Sequence, residues 1–110
     1  MSSKVEFQTS THKDWQIFSI IGRVDTVTAA EVDKVGNEFL QSNNNIALDM
    51  SAMDYISSAG LRVLLRIAKK SKRDKKKFVL FGASGMIKEV LEASGMDMLV
   101  TIYETQEDLP

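Results

Sequence analysis

The sequence has no cysteine, and its 110 residues include one histidine and one proline. Without cysteine the chain has neither a disulfide framework nor a thiolate nucleophile. No apolar run approaches the roughly 20 residues that a membrane-spanning helix needs. No apolar stretch follows Met1-Ser2-Ser3-Lys4 either, so we expect no signal peptide and no membrane association.

The charges nearly cancel, giving a formal net charge of -1 at pH 7. The overall charge therefore does not predict binding of the whole molecule to a highly charged polymer. The length and an ordinary composition, with 44% hydrophobic and 26% charged residues, predict one globular domain spanning residues 1–110. We expect that domain to be cytoplasmic and bacterial.

Strand-like and helix-like patterns alternate along the chain. Strands are predicted at residues 4–9, 15–21, 46–50, 78–81 and 98–103. Helices are predicted from Thr28, from the serine pair at 57–58 and from Ser84, with a short further helix at 105–109. This order predicts an α/β fold with an N-terminal hairpin, a small, mostly parallel sheet, and helices mainly on one face.

Some local features are predicted in more detail. Thr28-Ala29-Ala30-Glu31 fits the capping-box pattern, in which the Thr28 hydroxyl accepts from the Glu31 amide. Residues 51–56 are predicted to form a loop. Met50 and Met86 are expected to pack in the core.

The most informative segment is the loop and helix start around Ser57-Ser58-Ala59-Gly60. The first amides of a helix lack intrahelical partners and its macrodipole is positive there, so that end accepts anions such as phosphate. A phosphate on either serine adds about -1.5 to -2 charge at pH 7, which a docked partner must bury or repel. Helix capping by the serines and regulation through them are both compatible with this pattern.

Three segments resemble the STAS-domain family, in particular the bacterial anti-sigma factor antagonists. The first is Gly22-Arg23-Val24-Asp25 with the helix after it, and the second is Asp54-Tyr55-Ile56-Ser57-Ser58-Ala59-Gly60-Leu61. The third is Phe81-Gly82-Ala83, followed by Val90-Leu91-Glu92-Ala93-Ser94-Gly95-Met96. The second segment resembles the run that carries the family's phosphorylated serine.

The resemblance implies a set of site residues. It assigns phosphorylation to Ser58 in preference to Ser57, which stands where many relatives have aspartate. It implies that Asp25 lies near the serine loop and helps contact a kinase, although Asp25 also fits a turn residue leading into the helix. The partner-binding residues expected from it are Asp25, Ser57, Ser58, Ala59, Gly60 and Arg62.

The resemblance also implies partners. The unmodified antagonist binds an anti-sigma factor that is itself a serine kinase, which frees the sigma factor; phosphorylation releases the antagonist, and a PP2C-type phosphatase resets it. No cofactor is expected. The alternative is a non-switching STAS adaptor in a stress-signalling scaffold or a lipid-transport complex.

Nine of the 14 lysines and arginines lie between Arg62 and Lys77. A solvated helix face, contact with an acidic partner and nucleic-acid binding are the three interpretations, and the scarcity of interleaved aromatics and the slightly negative net charge disfavour nucleic acid. Asp49 and Asp54 flank the serine loop, yet no catalytic or phosphate-loop motif accompanies them. We therefore predict neither an enzyme nor a metal site.

Overall fold

The computed structural model describes residues 4–110. The strands are β1 (Val5–His12), β2 (Trp15–Val24), β3 (Asn45–Asp49), β4 (Met53–Ile56), β5 (Lys77–Phe81) and β6 (Ile102–Tyr103). The helices are α1 (Ala29–Ser42), α2 (Ser58–Arg73), α3 (Gly85–Ala93) and α4 (Met96–Leu99), with a 3-10 turn at Gln106–Asp108. No helix in this part of the chain is long and apolar enough to cross a membrane.

The six strands form one mixed sheet, in which five follow the order β1-β2-β3-β5-β6 and β4 pairs with β2. β1 and β2 form the antiparallel hairpin, and the remaining pairs are parallel. The predicted α/β fold with an opening hairpin is confirmed.

β2 has two parallel neighbours in succession. Its first half, from Gln16 to Ser19, pairs with β3. The register shifts after Gly22, and Arg23 and Val24 then pair with Tyr55 and Ile56 of β4. The ends of β2 and β4 therefore lie side by side, and the segments that follow them leave the sheet at the same edge.

The helices pack on one face of the sheet, as predicted. The larger core lies there and joins residues of all four helices to β2, β3 and β5; its helical members include Val32, Leu40, Leu64, Leu91 and Met96. The other face carries a smaller core, which the C-terminal segment covers through Leu109. This second core consists of Trp15, Ile17, Ala47, Val79, Phe81 and Leu109.

Gly36 explains how α1 and α2 approach each other closely. A β-carbon on Gly36 would lie 2.8 Å from Cδ1 of Ile67 on α2. The glycine lowers helix propensity by about 1 kcal/mol relative to alanine. Its place in α1 follows from the packing of the two helices.

Three element predictions were wrong. Residues 53–56 form β4 instead of a loop, because their backbone pairs with the end of β2. The predicted last strand at 98–103 is mostly α4 and a turn, and only Ile102–Tyr103 pairs with β5. The predicted final helix is a 3-10 turn, in which Thr105 and Asp108 form a capping box.

Candidate functional site

The candidate site lies where β2 and β4 end. Val24 pairs with Ile56, so Asp25 and Ser57 each follow one member of a register pair. The Ser57 amide donates to the Val24 carbonyl at 2.8 Å and fastens the serine segment to the end of β2. The expectation that Asp25 lies near the serine loop therefore agrees with this topology.

The two serines differ in their environment. Ser57 is the N-cap of α2, with an extended backbone, and its hydroxyl accepts from the Gly60 amide at 3.2 Å. Ser58 is the first residue of the helix and is exposed. Within residues 4–110 its hydroxyl makes no hydrogen bond. One serine therefore caps the helix while the other presents a free hydroxyl to solvent.

Gly60 allows the first turn of α2 to lie against the end of β2. A β-carbon there would lie 2.6 Å from Cγ1 of Val24, 3.1 Å from Cγ1 of Ile56 and 3.1 Å from the Val24 carbonyl oxygen. No L-side chain fits at that distance without movement. The glycine fixes the position of the serine pair relative to the strand ends.

Asp25 organises the turn between β2 and α1. Its Oδ1 accepts from the amides of Val27 at 2.9 Å and Thr28 at 3.0 Å. The Thr28 hydroxyl donates to the Arg23 carbonyl at 2.7 Å and accepts from the Asp25 amide at 2.9 Å. These hydrogen bonds support the interpretation of Asp25 as a turn residue.

The capping box predicted at Thr28 was wrong. Thr28 itself has helical backbone angles, and its side chain makes no cap hydrogen bond to the helix. Its hydroxyl is already engaged by Arg23 and Asp25, and the Glu31 amide donates to the Thr28 carbonyl instead. The side-chain acceptor at the start of this helix is Asp25, which accepts from the amides of Val27 and Thr28 and not from that of Glu31.

Arg23 and Tyr55 belong to the same strand ends and were not identified from the sequence. The Arg23 guanidinium lies 4.0 Å from the centre of the Tyr55 ring and pairs with Asp25 through Nε and Oδ2 at 3.2 Å. A cation over an aromatic face is attracted by the ring. Only recognition of β4 as a strand paired with β2 would have brought these two residues together.

Large apolar side chains are exposed along this edge of the sheet. Val27 is 76% exposed in the turn after Asp25, and Met86 is 74% exposed in the first turn of α3, after β5. Tyr55 is 38% exposed. The prediction that Met86 packs inside was therefore wrong, whereas Met50 is buried as predicted.

The two acidic residues that flank the serine loop, Asp49 and Asp54, lie in different environments. Asp49 accepts from the Ser19 hydroxyl at 2.9 Å and from both the amide and the hydroxyl of Ser51, so it shapes the turn after β3. Asp54 is exposed on β4. Among residues 4–110, no group of three or more potential ligands is placed to hold a metal ion.

The basic residues lie along α2 and the turn after it, and several bind α1. Arg66 pairs with Asp33 at 3.3 Å, and Lys70 donates to Asn37 Oδ1 at 3.2 Å. Lys76 donates to the Leu40 and Gln41 carbonyls at the end of α1. Part of the basic cluster thus stabilises the α1–α2 pair.

Comparisons with known proteins agree with this architecture. The STAS domain family model matches residues 6–109. The Bordetella bronchiseptica protein BtrV, named as an anti-sigma factor antagonist, is 33% identical over 85 residues, which cover 77% of this chain and 67% of BtrV.

Two solved structures have the same fold. An anti-sigma factor antagonist from Mycobacterium paratuberculosis superposes with a TM-score of 0.85 at 21% identity, covering 96% of this chain and 90% of that one. The phosphorylated form of the Bacillus cell fate determinant SpoIIAA superposes with a TM-score of 0.70 at 14% identity, covering 94% and 95%. The chain belongs to the STAS domain family, in the group of the anti-sigma factor antagonists.

Proposed function

We propose that this protein binds an anti-sigma factor through the edge of the sheet that carries Ser58, and that phosphorylation of Ser58 releases it. Free of the antagonist, the anti-sigma factor again binds its sigma factor. The antagonist acts as a ligand and a kinase substrate, without catalysis of its own.

The contrast between the two serines carries the proposal. The Ser57 hydroxyl is engaged with the Gly60 amide, whereas the Ser58 hydroxyl is exposed and has no hydrogen bond within the described chain. A kinase must bring the acceptor oxygen to its nucleotide, so the free hydroxyl is the one it reaches without breaking the helix cap. Ser58 is therefore the acceptor that the local geometry favours.

A phosphate on Ser58 is compatible with the folded protein but opposes the docking of a partner. The helix N-terminus stabilises an anion, and α2 has no acidic residue in its first turn. A partner that docks on the edge of the sheet that carries Ser58 must exclude water around position 58. Burying a phosphate of nearly two charges there is unfavourable unless the partner supplies cations.

The relatives support both halves of the proposal. BtrV is named as an anti-sigma factor antagonist, and SpoIIAA exists in a phosphorylated form. We infer that the anti-sigma factor is also the serine kinase and that a PP2C-type phosphatase removes the phosphate. Asp25, Ser57, Ala59, Gly60 and Arg62 surround Ser58 in the chain or at the adjoining strand end, and we assign them to the partner interface.

The test is a pull-down from the source bacterium with the unmodified protein, followed by kinase assays on the captured protein. We expect capture of an anti-sigma factor that transfers one phosphate from ATP, with mass spectrometry placing it on Ser58. Ser58→Ala abolishes phosphorylation while binding persists, and Ser57→Ala remains a substrate. Phosphorylation lowers the affinity for the captured protein at least tenfold.

Phosphate on another residue would overturn the site assignment. Unchanged affinity after phosphorylation of Ser58 would overturn the switch and favour a non-switching adaptor. Capture of scaffold or transporter subunits in place of an anti-sigma factor would do the same.

A further inference from the structure

Arg62 lies one helical turn after Ser58 on α2, and it is exposed. Residues four apart share a face of a helix, with β-carbons about 5–6 Å apart. Helical side chains lean toward the N-terminus of their helix, a direction that brings a side chain at position 62 within reach of one at position 58. Arg62 is the first cation of α2 and the one that lies within a single turn of the serine on that face.

Arg62 differs from the cations that follow it on α2. Arg66, one turn further, pairs with Asp33 at 3.3 Å, and Lys70 donates to Asn37. Arg62 makes no ion pair or hydrogen bond through its side chain with any residue from 4 to 110. No acidic side chain in the first turn of α2 competes for it.

We propose that Arg62 receives the phosphate of phosphorylated Ser58 within the same helix. This inference rests on the proposed function, because it concerns the same serine. Guanidinium groups bind phosphate through parallel N–H donors, which fix geometry as well as charge. The phosphate then has two anchors, the free amides of the helix N-terminus and the Arg62 side chain.

The pairing gives phosphorylation a second effect on the partner. In the unmodified protein Arg62 is open to an acidic side chain of the anti-sigma factor. In the phosphorylated protein the same guanidinium is held by the phosphate. Modification of Ser58 thereby adds a dianion to the interface and withdraws a cation from it.

Two other charged residues belong to the same edge of the sheet, and neither competes with Arg62 for the phosphate. Arg23, at the neighbouring strand end, already pairs with Asp25 and lies over Tyr55. The Asp25 carboxylate at the same edge of the sheet repels a phosphate. Both residues remain in every variant compared below, so their contributions cancel.

The experiment uses the full chain with phosphoserine incorporated at position 58 during synthesis, so it needs neither kinase nor partner. Phosphorus NMR follows the phosphate through a pH titration in four proteins: the parent chain, Arg62→Gln, Arg62→Lys and Arg66→Gln. Arg62→Gln raises the pKa of the phosphate, with proton binding about twofold tighter, the factor expected from an ion pair of about 0.4 kcal/mol. Arg62→Lys keeps the charge and stays close to the parent chain.

Arg66→Gln is the matched control, because it removes the same charge two turns from Ser58, where Arg66 is held by Asp33. It leaves the titration unchanged. Equal titrations for Arg62→Gln and the parent chain overturn the pairing, as do equal shifts in Arg62→Gln and Arg66→Gln. If this titration fails while the pull-down succeeds, the phosphorylation switch stands and only the role of Arg62 is overturned. If the titration succeeds while the pull-down fails, the switch is overturned and the pairing of Arg62 with the phosphate stands.

Discussion

The Cγ1 atom of Val24 lies 2.6 Å from the position that a β-carbon on Gly60 would take, so the end of β2 and the first turn of α2 are in close contact next to the serine pair. A larger residue at position 60 is therefore expected to displace the helix start that carries Ser58.

Gly60→Ala is therefore expected to destabilise the protein by about 1–3 kcal/mol, because overpacking outweighs the gain of about 1 kcal/mol in helix propensity. Urea denaturation measures the change. Val24→Ala removes the clashing methyl group, so the double variant Val24→Ala/Gly60→Ala loses less stability than the sum of the single variants. A Gly60→Ala protein more stable than the parent chain would contradict this packing.

Asp25 is expected to contribute to stability through the acceptor that it offers to two amides. Asp25→Ala removes that acceptor and costs about 1–2 kcal/mol, by analogy with the loss of a helix cap. Asp25→Asn keeps a carbonyl oxygen and loses the charge that pairs with the half-exposed Arg23, an ion pair worth at most about 1 kcal/mol. We expect it to lose about half as much stability as Asp25→Ala.

Thermal and urea denaturation of both Asp25 variants check this order, and partner affinity measured well below their melting temperatures isolates any direct contact. Equal losses in the two variants would mean that the charge of Asp25, and not its hydrogen bonds, stabilises the turn.

Elements with a strong local pattern were predictable from the sequence, and elements defined by distant pairing were not. The apolar spacing of α1 and α2 and the runs that form β2, β3 and β5 were sufficient to identify them. β4 is four residues long with two exposed positions, so only its register with the end of β2 defines it. Thr28 has the residue pattern of a cap, but Arg23 and Asp25, further back in the chain, engage its hydroxyl.

The site was predictable to a similar degree. The serine pair and Gly60 follow from the segment that resembles the family signature. The pairing of Arg23 with Asp25 and its stacking on Tyr55 depend on the juxtaposition of two strand ends. Met86 was misjudged because α3 packs against the core through Leu91, Ile87 and Val90, and this leaves Met86 on the exposed side of its first turn.

Leu109 closes the second core and is 1% exposed. Leu109→Ala is expected to cost about 2–4 kcal/mol, as for other buried leucines. Because the protein has a single tryptophan, Trp15, which lies in that core, its fluorescence emission should move to longer wavelength in the folded variant. Met98→Ala is the control: Met98 is 85% exposed, and its loss should change stability by less than about 0.5 kcal/mol. A Leu109→Ala protein as stable as this control would show that the second core does not depend on Leu109.

Substitutions of the two serines should change the free energy of unfolding by different amounts, and this measurement needs no partner. Ser57→Ala removes the oxygen that accepts from the Gly60 amide, and we expect a loss of about 1 kcal/mol. Ser58→Ala removes an exposed hydroxyl without a hydrogen bond in the described chain and should stay within about 0.5 kcal/mol of the parent. Ser57→Asp restores a cap acceptor at a positive helix end and should recover the stability that alanine loses. Urea denaturation at one protein concentration compares all four chains, and a larger loss for Ser58→Ala than for Ser57→Ala would reverse the assignment of cap and free hydroxyl.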